Sequence, residues 1–301
     1  MRINRQLVVL ACAMWLAGGA VAQQSPTLRK ISETGVISLG FRDNSLPFSF
    51  LDKQQRPIGY SIDLCLQVVE AIKIKLKLPG LEIMFRPVTS ANRLSFVVND
   101  IVDLECGSTT NTLERQSEVA FSVTTFVASS SLVSKKSDPV SSLKDLQGRT
   151  VVSTAGTTCI RALATSNKTQ RLNMRIVSGM DHEESFRFLE FDRAAAFAMD
   201  DVLVHGLVAR TRNPGEYVIH NTDLSLEPYG IVVRKHDPEF KKVVDDALVD
   251  LFKFGEINQI YRKWFLSEIA PNKVLLQMPM SRGLKKAIAF PTDSPDPAAY
   301  R

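Results

Sequence analysis

Gly35-Val36-Ile37-Ser38-Leu39-Gly40-Phe41 is a short apolar run followed by the loop Asp43-Asn44-Ser45-Leu46-Pro47. Such a run reads as a strand, the first of a series in which strands alternate with helices. Leu64, Val68, Ala71, Ile72 and Leu76 fall at helical spacing, with Asp63 as the expected cap of a helix reaching Lys77. Glu82 to Val88 is the next expected strand and Asn92 to Asn99 the next helix. The unit changes at Leu132-Val133-Ser134-Lys135-Lys136-Ser137-Asp138-Pro139, and the pattern restarts with Thr150-Val151-Val152-Ser153-Thr154. Phe186 to Glu190, Ala194 to Met199 and Asp201 to Ala209 continue it. Tyr217 to Ile219 and Gly230 to Arg234 read as later strands, and Phe240 to Phe254 and Glu256 to Phe265 as terminal helices. The alternation is that of an α/β fold.

The first residues point to export. Arg2 and Arg5 precede the apolar run Leu7 to Ala17, and Ala20-Val21-Ala22 supplies a small-x-small cleavage site. That run is shorter than the ~20 residues a membrane span needs. Residues 1–22 are therefore expected to be a cleaved signal peptide, giving a periplasmic protein. The 37 basic residues fall to 35 once Arg2 and Arg5 leave with the leader, against 32 acidic ones. Basic residues are scattered and lack interleaved aromatics, which argues against nucleic-acid binding. Cys65, Cys106 and Cys159 remain; an oxidising compartment permits one disulfide, while three buried thiols are the simpler reading. No Cys/His spacing suggests a metal, and no cofactor is expected. The segment after Pro271 is rich in Pro, Ser and Lys, and a loosely packed tail is expected.

Further segments carry a family resemblance. They are Ser45-Leu46-Pro47-Phe48-Ser49, Gly59-Tyr60-Ser61-Ile62-Asp63-Leu64, Thr89-Ser90-Ala91-Asn92-Arg93 and Glu105-Cys106-Gly107-Ser108-Thr109-Thr110-Asn111. Glu114-Arg115-Gln116, Gly156-Thr157-Thr158, Asp181-His182 and Met199-Asp200-Asp201 complete the set. In this order the chain resembles the periplasmic amino-acid-binding proteins of ABC importers, solute-binding protein family 3, and most of all their glutamate/aspartate-binding branch. Ser61 departs from the family motif, which usually has an acid there, and Cys159 stands where a small polar residue is common.

The resemblance implies a two-lobed periplasmic-binding-protein fold of type II, with two crossover hinge strands and a ligand cleft between the lobes. Lobe one would take residues 23–129 and 222–270, lobe two residues 130–221, and the tail residues 271–301. The ligand's α-carboxylate would meet Arg115, Thr110 and Thr158, and its ammonium Asp200 and Ser108. Arg42, Ser90, Arg93 and His182 would meet a side-chain carboxylate. Thr157 competes with Thr158 for the hydroxyl contact, and Phe48 and Tyr229 also read as plain core aromatics. Charge counting supports an acidic ligand: a plain amino acid needs one cation and one anion, whereas these motifs give three arginines against Asp200. Closing the cleft over glutamine would leave a guanidinium unpaired, at a cost of about 3–5 kcal/mol.

The expected partners are L-glutamate or L-aspartate and a membrane permease, with the protein a monomer and no enzyme. Cyclohexadienyl dehydratases are the enzymatic alternative on this scaffold. They would need a catalytic acid, for which Asp200 and His182 are the candidates. A sensory receptor component is the other alternative. No G-x-S-x-G elbow is present.

Overall fold

The computed structural model describes residues 25–270 and 273–301; the expected signal peptide lies outside them. Two five-stranded sheets dominate. In the first, Glu82–Pro87, Val36–Phe41 and Leu104–Glu105 run parallel, and Val232–Arg234 and Val119–Phe121 follow, with Val232–Arg234 antiparallel to both its neighbours. The second repeats this plan with Arg175–Gly179, Thr150–Thr154 and Ala196–Asp200 parallel, then Phe126–Lys135 and Tyr217–Tyr229 antiparallel. Parallel strands need crossover connections, and helices supply them: Tyr60–Leu76 in the first half, Thr158–Gln170 and His182–Glu190 in the second. Among the described residues no helix is long and apolar enough to cross a membrane.

Phe126–Lys135 and Tyr217–Tyr229 are the long strands that carry the chain between the sheets. Their pairing shifts register between Asn221 and Leu226. Ser130 bridges the irregularity, its hydroxyl accepting from the Ser225 N–H at 2.9 Å. At the foot of these strands an aromatic cluster fills the first unit. Phe48 lies 4.8 Å from Phe126, 5.2 Å from Tyr229 and 5.9 Å from Phe265 between ring centroids. Phe48 is therefore a core residue.

Asp63 is not the cap of its helix. Gly59 occupies that position, and the Asp63 carboxylate, one turn in, accepts from Lys263 Nζ and Trp264 Nε1, both at 2.7 Å. Cys65 and Cys106 form a disulfide that ties this helix to the chain entering Gly107-Ser108, and Cys159 is a buried free thiol.

The tail is packed rather than loose. A helix runs from Arg282 to Ala289, and Leu284, Ala287 and Tyr300 are buried, two of them against Val127 on a crossing strand. Its extended parts supply carbonyls: Thr292 O accepts from Thr124 N at 2.8 Å and Asp293 O from Asn111 Nδ2 at 2.7 Å. A Pro-rich stretch cannot make a core of its own, but it can satisfy donors on one that exists.

Candidate ligand-binding site

In open α/β sheets ligands bind beyond the carboxyl ends of parallel strands. The sequence-predicted residues fall there in both halves. Arg42 follows Val36–Phe41, Ser90 and Arg93 follow Glu82–Pro87, and Ser108 follows Leu104–Glu105. Opposite them, Thr158 follows Thr150–Thr154, His182 follows Arg175–Gly179, and Asp200 ends Ala196–Asp200. All of these are buried except Thr158, which is partly buried.

The two sides touch. Arg115 Nη1 donates to the Thr110 carbonyl at 2.8 Å, and its Nη2 reaches across to the Gly156 carbonyl at 3.1 Å. Gly156 has φ +75°, and a Cβ there would lie 2.7 Å from the Ser90 carbonyl oxygen. The lobes are thus in the closed arrangement, with three guanidinium groups shut between them. Burial pulls Arg42 down to about 10 and Arg115 to about 9, neighbouring guanidinium groups adding to it, so both stay cationic at neutral pH. Burial lowers Arg93 as well, and Glu105 opposes the shift.

His182 is lowered well below its ordinary value, first by burial and then by Arg42 and Arg93, and so is neutral. Its Nδ1 lies 2.9 Å from Thr154 Oγ1. The same Thr154 hydroxyl lies 3.0 Å from Ser185 Oγ, whose own proton goes to the Asp181 carbonyl at 2.7 Å.

Thr157 and Thr158 have different tasks. Thr157 caps the helix Thr158–Gln170, and its hydroxyl donates to the Thr154 carbonyl at 2.7 Å. The Thr158 hydroxyl donates to Glu227 Oε2 at 2.8 Å. What Thr158 can offer a carboxylate is therefore its first-turn N–H, at the positive end of a helix of 13 residues.

Asp200 is the most perturbed acid. Burial first, then Glu227, raise it to about 8, while hydrogen bonds from Tyr229 and Cys159 work the other way. The Tyr229 hydroxyl donates to Oδ2, and Cys159 Sγ donates to Oδ1 at 3.3 Å. Tyr229 is thus a core aromatic whose polar end serves the site. Cys159 likewise reaches the site, although nothing in the sequence placed it there.

Glu105 and Glu227 are the carboxylates that sequence reasoning missed, 0% and 1% exposed. Glu105 Oε2 accepts from Thr109 Oγ1 at 2.6 Å, and its charge steadies Arg42 and Arg93. A Cβ at Gly107 would lie 2.3 Å from Glu105 Oε1, so a larger residue there would displace that carboxylate. The count of three arginines against Asp200 is therefore incomplete: three carboxylates share the cluster. Cys159, Asp200 and Glu227 also each offer an atom within 4.8 Å of the others, as a metal site would require. A zinc ion would need Cys159 as thiolate, and burial with the flanking carboxylates pushes that thiol well up.

The profile of the bacterial extracellular solute-binding proteins, family 3, matches residues 37–267. The L-glutamate/L-aspartate-binding protein of Pseudomonas aeruginosa is 49% identical over 296 residues, covering 97% of this chain and 98% of that one. The glutamate/aspartate import solute-binding protein of Escherichia coli is 40% identical over 286 residues, 95% of each chain. Among solved structures, an ancestral arginine-binding protein bound to arginine is similar with a TM-score of 0.70 and 27% identity, over 77% of this chain and 98% of that one.

Proposed function

The chain belongs to family 3 of the bacterial extracellular solute-binding proteins, and from that premise we propose that it captures L-glutamate or L-aspartate in the periplasm and hands it to the permease of an ABC importer. The observation that carries this reading is a set of buried polar atoms. Arg42 Nη1, Ser90 Oγ, Arg93 Nε, Ser108 Oγ and His182 Nε2 have no hydrogen-bond partner among the described residues. Buried polar groups in folded proteins are nearly always bonded, so five such atoms at facing strand ends support a polar ligand between them.

Their chemistry suits an acidic amino acid. Arg115, the Thr110 region and the Thr158 N–H take the α-carboxylate. Asp200 and Ser108 take the ammonium. Arg42, Ser90 and Arg93 donate, as a second carboxylate requires, and the neutral His182 stands with them. Capture is a reversible closure: residues 130–221 swing about the two crossing strands onto the lobe formed by residues 23–129 and 222–270, and the closed monomer meets the permease. Export through cleavage after Ala22 delivers the protein to that compartment.

Calorimetric titration with the common amino acids tests the reading. Glutamate and aspartate bind, and glutamine binds about two decades or more weaker, the consequence of a buried guanidinium without an anion. Tight binding of glutamine or arginine with none for the acidic pair overturns the specificity. Recovery of unchanged ligand by NMR is expected; turnover of prephenate or arogenate would overturn reversible capture.

A further inference from the structure

Glu105 ends the short strand Leu104–Glu105 and is fully buried. Glutamate is almost never fully buried unless something pairs with it. Its side chain has one hydrogen bond among the described residues, from Thr109 Oγ1 at 2.6 Å, and its Oε1 has no partner. What surrounds it is the arginine end of the cleft. A Cβ on Gly107 would lie 2.3 Å from Glu105 Oε1 and 3.1 Å from Arg42 Cγ, so the carboxylate and the arginine stem lean on one glycine. One residue further, the Ser108 carbonyl accepts from Arg93 Nη1 at 3.2 Å. Residues 105–109 thus gather the anion and both cations on one short stretch of chain. That stretch is anchored from below: Cys106 is joined to Cys65, and the Gly107 carbonyl accepts from Ser61 Oγ at 2.7 Å. Every one of these partners precedes Ser130, so the arrangement belongs to one lobe and exists before the cleft closes.

We propose that Glu105 is a specificity-determining residue that sets the charge of the side-chain end of the cleft: against Arg42 and Arg93 it leaves a place for one negative charge on the ligand. This rests on reading the cleft as an acidic amino-acid site. Glu105 opposes the effect of burial at both arginines, ahead of Asp181 and Asp43, which also act on Arg42. The field that steadies the guanidinium groups also repels an anionic side chain, and a cleft shut from water screens it little. Glu105 therefore limits how far an acid outcompetes its amide. Without it, the two arginines would hold a carboxylate more tightly and would penalise a neutral amide more, because both would be buried short of an anion.

The test compares glutamate with glutamine in calorimetric titrations of wild type, Glu105→Gln and Glu105→Asp. The amide keeps an oxygen for the Thr109 hydroxyl, so Glu105→Gln removes the charge and keeps that bond. The ratio of glutamate to glutamine affinity should rise by about tenfold or more, the scale of one charge acting at short range in a poorly screened cleft. Glu105→Asp keeps the charge and should keep the wild-type ratio. A purely structural Glu105 would weaken both ligands alike, so an unchanged or lower ratio in Glu105→Gln overturns the proposal. Ligand-free melting shows whether that variant is folded. Where it is not, a charge-balanced pair decides: adding Glu105→Gln to Arg93→Met should raise the ratio by about the same factor over Arg93→Met alone, and equal ratios overturn the proposal. If wild type favours glutamine, the proposed function falls. A shift of the ratio towards glutamate in Glu105→Gln would then still uphold the role of Glu105, and an unshifted one would end it.

Discussion

Replacing Gly156 with alanine separates closure from folding. Two costs arise, and they belong to different states. The backbone at φ +75° disfavours an L side chain by about 1–2 kcal/mol, and that strain sits within one lobe whether the cleft is open or shut. The new Cβ would also lie 2.7 Å from Ser90 O and 2.8 Å from the Ala91 backbone, and those contacts exist only when the lobes meet. The neighbours are backbone and cannot rotate aside, so overpacking adds about 1–3 kcal/mol to the closed form alone. Retreat from the clash would also lengthen the 3.1 Å bond from Arg115 Nη2 to the Gly156 carbonyl. Ligand affinity should therefore fall by about 5- to 150-fold. The first cost should lower the ligand-free melting temperature by about 2–8 °C. Thermal melting without ligand reads the first cost and titration calorimetry the second. A lowered melting temperature with unchanged affinity would show that ligand binding does not bring Gly156 against Ser90, and the closure reasoning would fail.

Arg93→Met should weaken glutamate by about two decades while sparing glutamine, because the side-chain carboxylate loses a buried cation; equal losses for both ligands in paired titrations would remove Arg93 from that role. Reducing the disulfide by the double change Cys65→Ser and Cys106→Ser opens a loop with a sequence separation of 41, worth about 4 kcal/mol on the chain-entropy estimate. Denaturant titration should show that loss, and a change under about 1 kcal/mol would contradict it. Asp200→Asn should flatten the pH dependence of ligand-free stability. Burial and Glu227 raise Asp200 from 3.8 to about 8, so the folded state keeps a proton that the unfolded chain releases. That contribution is whole below about pH 4 and is lost as pH rises towards 8, at up to about 1.4 kcal/mol per unit. Tyr229, Cys159, Glu227 and Asp201 face the same group in both proteins apart from the change itself. Denaturation at pH 5 and pH 8 checks it; a wild type that loses no more stability than the variant between them refutes it.

Val36–Phe41, Glu82–Pro87, Thr150–Thr154 and Ala196–Asp200 were legible as short β-rich runs, while the two-residue Leu104–Glu105 and the mixed Arg175–Gly179 were not, and the residues that end the strands were legible through motif order. Of the crossing strands only the start, Tyr217 to Ile219, was legible. Phe126–Lys135 contains Ser129, Ser130 and Ser131, and the polar segment after Asn221 interrupts Tyr217–Tyr229. Both interruptions fall at the hinge, where hydroxyls satisfy a backbone that has shifted register: Ser130 accepts from Ser225 N, and Ser131 Oγ donates to Met199 O at 3.0 Å. Glu105 and Glu227 escaped for a related reason, since a glutamate is almost never fully buried and a lone one reads as surface. The usable signal was context: Leu104-Glu105-Cys106 and Glu227-Pro228-Tyr229 each set the acid among residues that bury. In the tail, composition masked Leu284 and Ala287, which sit three apart on one helical face.

The two added carboxylates change why an acidic ligand should fit. Counted from sequence, the cleft held a surplus of two positive charges; formally, three arginines now face three acids. The charges are not evenly spread. Glu105 stands with Arg42 and Arg93, leaving one positive charge uncompensated where the ligand side chain would lie. Glu227 stands near Arg115 and Asp200, and burial with Glu227 pushes Asp200 up to about 8. A zwitterionic head group carries no net charge and an acidic side chain carries one negative charge. The acidic side chain of glutamate or aspartate thus matches the positive charge left around Arg42 and Arg93. In a closed, low-dielectric cleft such a match is worth more than in water, because the charges are screened least there. Arginine as ligand would place a third guanidinium beside Arg42 and Arg93, with Glu105 alone to offset them. The same scaffold holds arginine in an ancestral relative, so the discrimination resides in these side chains and not in the fold.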